Sequence, residues 1–302
     1  MARRNSALSD CGRMAEKIRW SAPGRLLISI LLWIWLVIEG YSRALYRAVF
    51  PYCMQPKKKI AGKTVLLTGA GGGIGRELAI QLAAEGCRLV LWDIQAAQND
   101  QTAQFCQKLG AKMSEELDEN YGDVDIVINN AGLLNPVPFL SCDDERMAAV
   151  VDVNLKALFW TTKAFLPRML ERGRGHIVTL GSVASIIGAP SLVDYAASKF
   201  AAFGFMESLC SQMQEQGHTN IHFTTVCPYY CRTPLINELT ISDARLPLLD
   251  VEYVARRVVQ GIRMEQRVVI VPPFMCFLFF LRGVVPWTIF QSIVLNRRCK
   301  FA

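Results

Sequence analysis

The chain has 302 residues, a formal net charge of +7 and a hydrophobic content of 52%, with a positive mean hydropathy. That is high for a purely soluble domain, and the apolar excess gathers at the two ends. The charge does not mark a nucleic-acid binder: the basic tract Lys57 to Lys59 follows an apolar run, where it suits anionic lipid headgroups, and no nucleic-acid motif accompanies it.

From Leu26 to Ile38 the chain carries no charge until Glu39. The run is shorter than the ~20 residues a straight helix needs to cross a bilayer. It lacks a small-residue cleavage site, so it reads as an uncleaved anchor. Tyr41 to Phe50 continues as an amphipathic stretch with Arg43 and Arg47 on one face, suited to the headgroup layer. A buried helix is the plainer alternative, and basic residues on both sides leave the orientation open. Residues 1–59 are thus an N-terminal region with an anchor at about 26–50.

The globular part, residues 60–271, opens with Thr64 to Thr68, an apolar strand closing on Gly69, then a glycine turn and an amphipathic helix from Arg76. Gly69, Gly73 and Gly75 let the backbone approach a pyrophosphate, and the helix start around Ile74 offers free N–H groups and a positive dipole end. A second strand, Cys87 to Trp92, ends in Asp93. An acid there accepts the adenosine ribose hydroxyls and repels a 2′-phosphate. Neither Lys nor Arg stands before Gly73, so the pattern favours NAD over NADP.

Val124 to Ile128 is a further buried strand, ending in Asn129, Asn130, Ala131 and Gly132. A doubly wound sheet needs a helix, a strand and another helix between it and Asp93, roughly forty residues or more. Only about thirty are present, by the same count. Gln95 to Tyr121 is polar and holds no run of Val, Ile or Phe, so the third, edge strand reads as absent. The second strand would then be an exposed edge.

Asn154 falls in a helical stretch. Gly175 to Leu180 is another strand, followed by Ser182. Tyr195 and Lys199 then stand at i and i+4 of a helix-compatible run and so share a face. A fixed ammonium beside a phenol favours phenolate, which predicts a lowered Tyr195 pKa and a tyrosine able to move a proton near neutral pH. Ser182 is placed to bond a substrate oxygen.

After a last strand at Val268 to Val271, Pro272 and Pro273 break the chain, and residues 272–302 form an apolar tail whose Arg282 and Pro286 argue against a regular membrane helix. Two readings stand level: a membrane-apposed lid admitting a lipid, or a helix packed on the core. The ten cysteines show no paired C-x-x-C spacing and read as reduced thiols, and His176, His218 and His222 match no metal spacing. No metal is needed where a Tyr and a Lys handle the proton.

The ordered set from Thr68 and Gly69 to Tyr195 and Lys199 resembles the short-chain dehydrogenase/reductase family over Lys63 to about Val271. The resemblance implies a doubly wound parallel α/β sheet of the Rossmann type in one domain. It implies Tyr195 as general acid/base, Lys199 on the nicotinamide ribose, Ser182 on the substrate oxygen and Asn154 holding a relay water. Asn130, Ala131 and Gly132 would line the adenosine channel, and the loop from Cys227 and Pro228 to Thr233 would close over the nicotinamide. The family's usual Pro-Gly is here Pro228 and Tyr229, so that turn must differ. Helices carrying Asn154 and Tyr195 would form a homodimer interface.

Phe159 to Leu170, Gly175 to Thr179, Phe205 to Leu209 and Val226 to Tyr229 resemble the membrane-bound retinol dehydrogenases and microsomal 17β-hydroxysteroid dehydrogenases. This implies a lipid alcohol substrate, retinol-like ahead of a hydroxysteroid, on the endoplasmic reticulum or lipid droplets with the catalytic domain cytosolic. Pro234 to Leu249 would be the substrate loop, with Leu235, Ile236, Leu239, Ile241, Leu246 and Leu248 as pocket residues; ordinary loop packing explains them nearly as well. In the family the third strand's loop carries an Asp for the adenine amino group. Its loss supports a second hypothesis: a catalytically impaired, membrane-anchored relative serving as a binding or partner protein.

Overall fold

The structure, a computed structural model, describes residues 22–49, 57–113, 124–236, 247–286 and 289–290. The chain divides into two compact units, Met1–Lys57 and Lys58–Ala302. Among its described residues the first holds a long helix, α1 (Ala22–Val49), whose Leu26, Leu27, Trp33 and Ile38 are exposed. Among the described residues, no helix is long and apolar enough to cross a membrane.

The second unit alternates strand and helix. Its strands are β1 (Thr64–Thr68), β2 (Arg88–Trp92), β3 (Lys112–Met113), β4 (Ile126–Asn129), β5 (Gly175–Leu180), β6 (Ile221–Pro228) and β7 (Val268–Val271). Its helices are α2 (Gly73–Ala84), α3 (Ala96–Lys108), α4 (Asp144–Val151), α5 (Ala157–Glu171), α6 (Val193–Glu215), α7 (Val251–Arg263) and α8 (Cys276–Val284). All strands are parallel and lie in the order β3-β2-β1-β4-β5-β6-β7. The order reverses beside β1, so the crevice above the carboxyl ends of β1 and β4 is where such a sheet takes a ligand.

The strands are apolar on both faces because helices cover both. Val65, Leu67, Ile126, Ile128 and Val178 face α2 and α7, while Leu66, Val127 and Ile177 pack with Phe165, Met169 and Met206. Each side chain so buried contributes about 1.5–3 kcal/mol. On α7, Val254, Ala255, Val258, Val259 and Ile262 make the buried stripe of an amphipathic helix. α4 starts at Asp143, whose side chain accepts the N–H groups of Glu145 and Arg146 at 3.0 and 3.1 Å.

The third strand, expected to be absent, is present as the two-residue β3. It pairs only Arg88 with Lys112 and Leu89 with Met113. So short an edge needs no run of Val, Ile or Phe, which is why composition did not reveal it. Val90 to Trp92 have no described strand beside them on that side, and Trp92 is 40% exposed. Residues 114–123, including Tyr121, lie outside the described residues, as do Leu239, Ile241, Leu246 and Phe50 of the sequence expectations.

The tail combines features of both readings. Leu278, Leu281 and Val285 pack with buried Phe290 on Ile186, Ile187 and Cys227, while Phe274, Phe277, Phe280 and Val284 of the same segment are exposed. Arg282 turns inward: it donates to the Ile186 carbonyl and covers the Phe200 ring at 5.0 Å. A regular helix therefore runs through Arg282 and ends before Pro286.

Candidate active site

The glycine turn between β1 and α2 is shaped by close approach. Gly69 has φ +68°, and a Cβ there would lie 2.8 Å from the Ala131 Cα and 2.9 Å from the Asn130 amide nitrogen. A Cβ on Gly75 would overlap the Gly69 carbonyl oxygen. At Gly73, with φ +54°, it would meet the Thr233 methyl at 3.3 Å, so the loop after β6 reaches over the turn. α2 begins at Gly72 without a side-chain cap and has no acid in its first turn. Its leading N–H groups are therefore left for an anion, and the turn fits a dinucleotide pyrophosphate. Ile74 packs partly against the core.

Asp93 is braced to this turn. One carboxylate oxygen accepts the Gly71 N–H at 2.7 Å and the other the Gln95 N–H at 2.8 Å. The acid thus stands beside the glycine turn at the end of β2, where a ribose edge would lie.

The end of β4 is tied to the end of β1 by Asn130 and Thr68. The Thr68 hydroxyl accepts the N–H groups of Asn130 and Ala131, each at 3.1 Å. The Asn130 side chain donates to the Thr68 and Gly69 carbonyls at 3.0 and 2.9 Å. Asn129 accepts from the Thr161 hydroxyl at 2.6 Å. Asn154 sits in a π-helical turn, Asp152–Lys156, between α4 and α5, a local widening frequent at functional sites. Its amide oxygen accepts the Leu133 N–H at 2.8 Å, and its amide nitrogen donates to the Leu133 carbonyl and the Ser198 hydroxyl, each at 3.0 Å. Ser198 in turn donates to the Tyr195 carbonyl at 2.7 Å. The Asn154 side chain is thus a clamp between the loop after Gly132 and the helix of Tyr195.

Ser182, Tyr195 and Lys199 converge here. Ser182 caps the turn Val183–Ser185: its hydroxyl accepts the Ala184 N–H, and the Ser185 hydroxyl accepts the Ser182 N–H, both at 3.1 Å. The Ser182 side chain lies close enough to the Tyr195 phenol to lower its pKa. Lys199, buried, donates to the Leu180 carbonyl at 2.8 Å and stands 5.6 Å from the centre of the Tyr195 ring. A Cβ on Gly132 would lie 3.3 Å from the Asn154 oxygen and 3.6 Å from the Lys199 nitrogen, so Gly132 leaves this corner open.

The phenol differs from expectation. Burial pushes Tyr195 up to about 12, against the lowering effect of its Ser182 hydrogen bond, with the Tyr230 phenol and Cys227 thiol adding to the rise. Burial pulls Lys199 down to about 8. Its ammonium serves the Leu180 carbonyl, and desolvation of the phenol outweighs whatever charge reaches it.

Pro228 ends β6 in register with Val271, and the Tyr229 N–H donates to the Val271 carbonyl at 2.7 Å. Tyr229 takes no left-handed backbone, so the departure from Pro-Gly continues the sheet instead of straining it. Beyond it, Cys231 bridges to Leu249, closing the base of the loop expected to bind substrate, whose described ends include Leu235, Ile236 and Leu248. Cys227, expected only as the start of the loop over the nicotinamide, is buried beside Ser182 and Ser185, and burial raises its thiol to about 12. Only the pairing of Leu180 with Val226 reveals that proximity. Ser198 and Thr68 had a weak signal, lying inside or beside motifs already singled out. A concavity lined by Gly62, Gly86, Arg88, Gly110 and Lys112 opens at the opposite ends of β1 to β3 and takes no part in this site.

Known proteins resemble this chain in sequence and in fold. A family model described as short chain dehydrogenase matches residues 63–243. The chain is 39% identical to mouse epidermal retinol dehydrogenase 2 over 83% of its own length and 88% of the mouse protein. It is 36% identical to human 17-beta-hydroxysteroid dehydrogenase 13 over 90% of its length and 94% of that protein. Mouse estradiol 17-beta-dehydrogenase 11 is 33% identical, over 92% and 97%. A short chain dehydrogenase/reductase from Burkholderia phymatum, solved in complex with NAD, superposes with a TM-score of 0.66 over 81% of this chain and 98% of that one; at 22% identity it speaks to the fold alone. A putative NAD(P) dependent gluconate 5-dehydrogenase from Beutenbergia cavernae with bound NADP gives a TM-score of 0.62 at 27% identity, over 70% and 96%.

Proposed function

The chain belongs to the short-chain dehydrogenase/reductase family, and on that footing we propose that it oxidises the hydroxyl of an apolar, lipid-like alcohol with NAD as hydride acceptor. The observation that carries this reading is the buried Lys199 ammonium 5.6 Å from the centre of the Tyr195 ring on the same helix, with Ser182 beside the phenol. When bound, the nicotinamide supplies the oxidising end of a two-electron exchange. Tyr195 takes the proton from the alcohol oxygen, and Ser182 holds that oxygen in place. With dinucleotide bound, the Lys199 ammonium would bond the nicotinamide ribose and would supply the charge that favours phenolate. Asn154 keeps its side chain for Leu133 and Ser198, so a relay water held by this residue would have to rest on its backbone.

Gly69, Gly73, Gly75 and the α2 N-terminus would hold the pyrophosphate, Asp93 the adenosine ribose, and Asn130 to Gly132 would form the floor of the channel. Pro228 and Thr233 would cover the nicotinamide. An acid at the β2 end supports NAD over NADP. The substrate class follows the relatives, named for retinol and for hydroxysteroids, with a retinoid ranked first. The apolar α1 and the exposed aromatics of α8 support residence on the endoplasmic reticulum or lipid droplets, with the catalytic unit cytosolic. The helices carrying Asn154 and Tyr195 support a homodimer.

A second reading has one observation in its favour: β3 pairs only the lower half of β2, which shortens the wall on the adenine side. It is a catalytically impaired relative that serves as a membrane-anchored binding or partner protein. Microsomes expressing the chain, given NAD and a panel of retinoids and hydroxysteroids, test the two. NADH formation with one of these alcohols is expected. No turnover together with no rise in melting temperature in millimolar NADH would establish the second reading instead.

A further inference from the structure

Asn135 lies on the stretch leaving β4 and is 3% exposed. Its amide nitrogen donates to one Asp194 carboxylate oxygen at 3.3 Å and to the Cys142 sulfur at 2.6 Å. The other Asp194 oxygen accepts the Tyr195 N–H at 2.7 Å. Cys142 itself stands 3.8 Å from the carboxylate, and burial together with Asp194 raises its thiol, keeping it protonated as a donor. The Asn135 carbonyl oxygen is buried without a partner among the described residues. The amide cannot be turned over to relieve this, because its oxygen would then face a carboxylate.

The start of α6 explains why such a cluster matters. The helix begins after Leu192, which offers no side-chain cap, and Ser191 before it has a left-handed φ of +57°. Asp194 is the sole acid of the first turn and takes over the work of a cap from inside it. It can hold Tyr195 only if its own rotamer is held. Packing alone would be met by an apolar residue at 135; an amide whose nitrogen is used and whose oxygen is not points to the donor as its purpose.

We propose that Asn135 is a positioning residue for Tyr195: by anchoring the Asp194 carboxylate it fixes the first turn of α6 and so the aim of the phenol toward Ser182. Its kinetic consequence rests on the dehydrogenase reading above. The stretch after β4 is then secured in sequence by Asn130 on β1, by Asn154 on Leu133 and by Asn135 on Asp194, which ties the cofactor floor to the proton donor.

The test is a charge transposition. Asn135→Asp sets two carboxylates against each other. Combined with Asp194→Asn, the pair becomes carboxylate and amide again, the new amide donating to position 135 and keeping its oxygen for the Tyr195 N–H. Asn135→Asp is expected to lower kcat roughly tenfold, with the NADH Kd within about twofold, and to speed hydrogen exchange in the 192–198 segment. The double variant should return kcat and exchange to within about threefold of the original. Asn135→Ala provides a milder version should the first variant unfold. Unchanged kcat and exchange in Asn135→Asp, or a folded double variant as impaired as the single, overturns the proposal. If the unaltered protein turns over no alcohol, the dehydrogenase reading fails, and exchange alone still decides the clamp.

Discussion

The Lys199 ammonium stands 5.6 Å from the centre of the Tyr195 ring yet gives its hydrogen bond to the Leu180 carbonyl, at 2.8 Å. Both groups pay for burial: Tyr195 rises to about 12 and Lys199 falls to about 8. Without dinucleotide the phenol is therefore held protonated, while the lysine keeps its charge at neutral pH.

The lysine value sets a stability test. Its folded value, about 8, lies below its ordinary 10.5. Between these the unfolded chain binds more protons, so this group makes stability rise with pH across that window and withdraws the gain as pH falls through 8. Melting temperature against pH should show the increment in the native protein and lose it in Lys199→Met, the difference between the two removing the other groups that titrate there.

His176 sets a second window. The Thr224 hydroxyl donates to the Gln266 carbonyl and so accepts from the His176 Nε2–H at 2.8 Å. Nδ1 is left unprotonated and is buried without a partner among the described residues. Burial lowers this histidine well below 6.5, helped by the charges of Lys58 and His222, the latter paired with Glu265. The unfolded chain therefore binds more protons below about 6.5, and stability falls as pH drops. His176→Asn should flatten that acid slope; an unchanged slope would remove His176 as its source.

Asp93 predicts cofactor choice. Asp93→Ala would also release the Gly71 N–H, so Asp93→Asn, which keeps one acceptor oxygen, is the cleaner change. The kcat/KM ratio for NAD over NADP should fall about tenfold, the equivalent of one lost repulsion of ~1.4 kcal/mol. An unchanged ratio would mean that the carboxylate does not read the ribose.

Asn130 is the bolt between β1 and β4. Asn130→Ala leaves the Thr68 and Gly69 carbonyls without its two bonds, a loss of about 1–3 kcal/mol. Denaturant unfolding should show that loss, and dinucleotide affinity should weaken with it because the same bonds shape the turn. A stability change under about 0.5 kcal/mol would assign the turn to other contacts.

Much of this was legible in the residue order. The strand, glycine turn and helix around Gly69 to Gly75 announced themselves through period and glycine placement, and i, i+4 spacing put Tyr195 and Lys199 on one face. Three features were not legible, for separate physical reasons. β3 is too short to leave an apolar run, so its two residues read as loop. The direction of the Tyr195 shift depends on desolvation, which no spacing encodes. Cys227 and Asn135 reach the site through strand register and a loop path, and such long-range placement is settled only by the packed sheet.

The most direct measurement is a single turnover with saturating NAD and a retinoid alcohol, comparing the native protein with Tyr195→Phe. Phenylalanine fills the same space without the proton-carrying oxygen, so NADH formation should fall by roughly 10²–10⁴-fold while the NADH Kd stays within about threefold. NADH formation at the native rate in Tyr195→Phe would contradict the account at its centre.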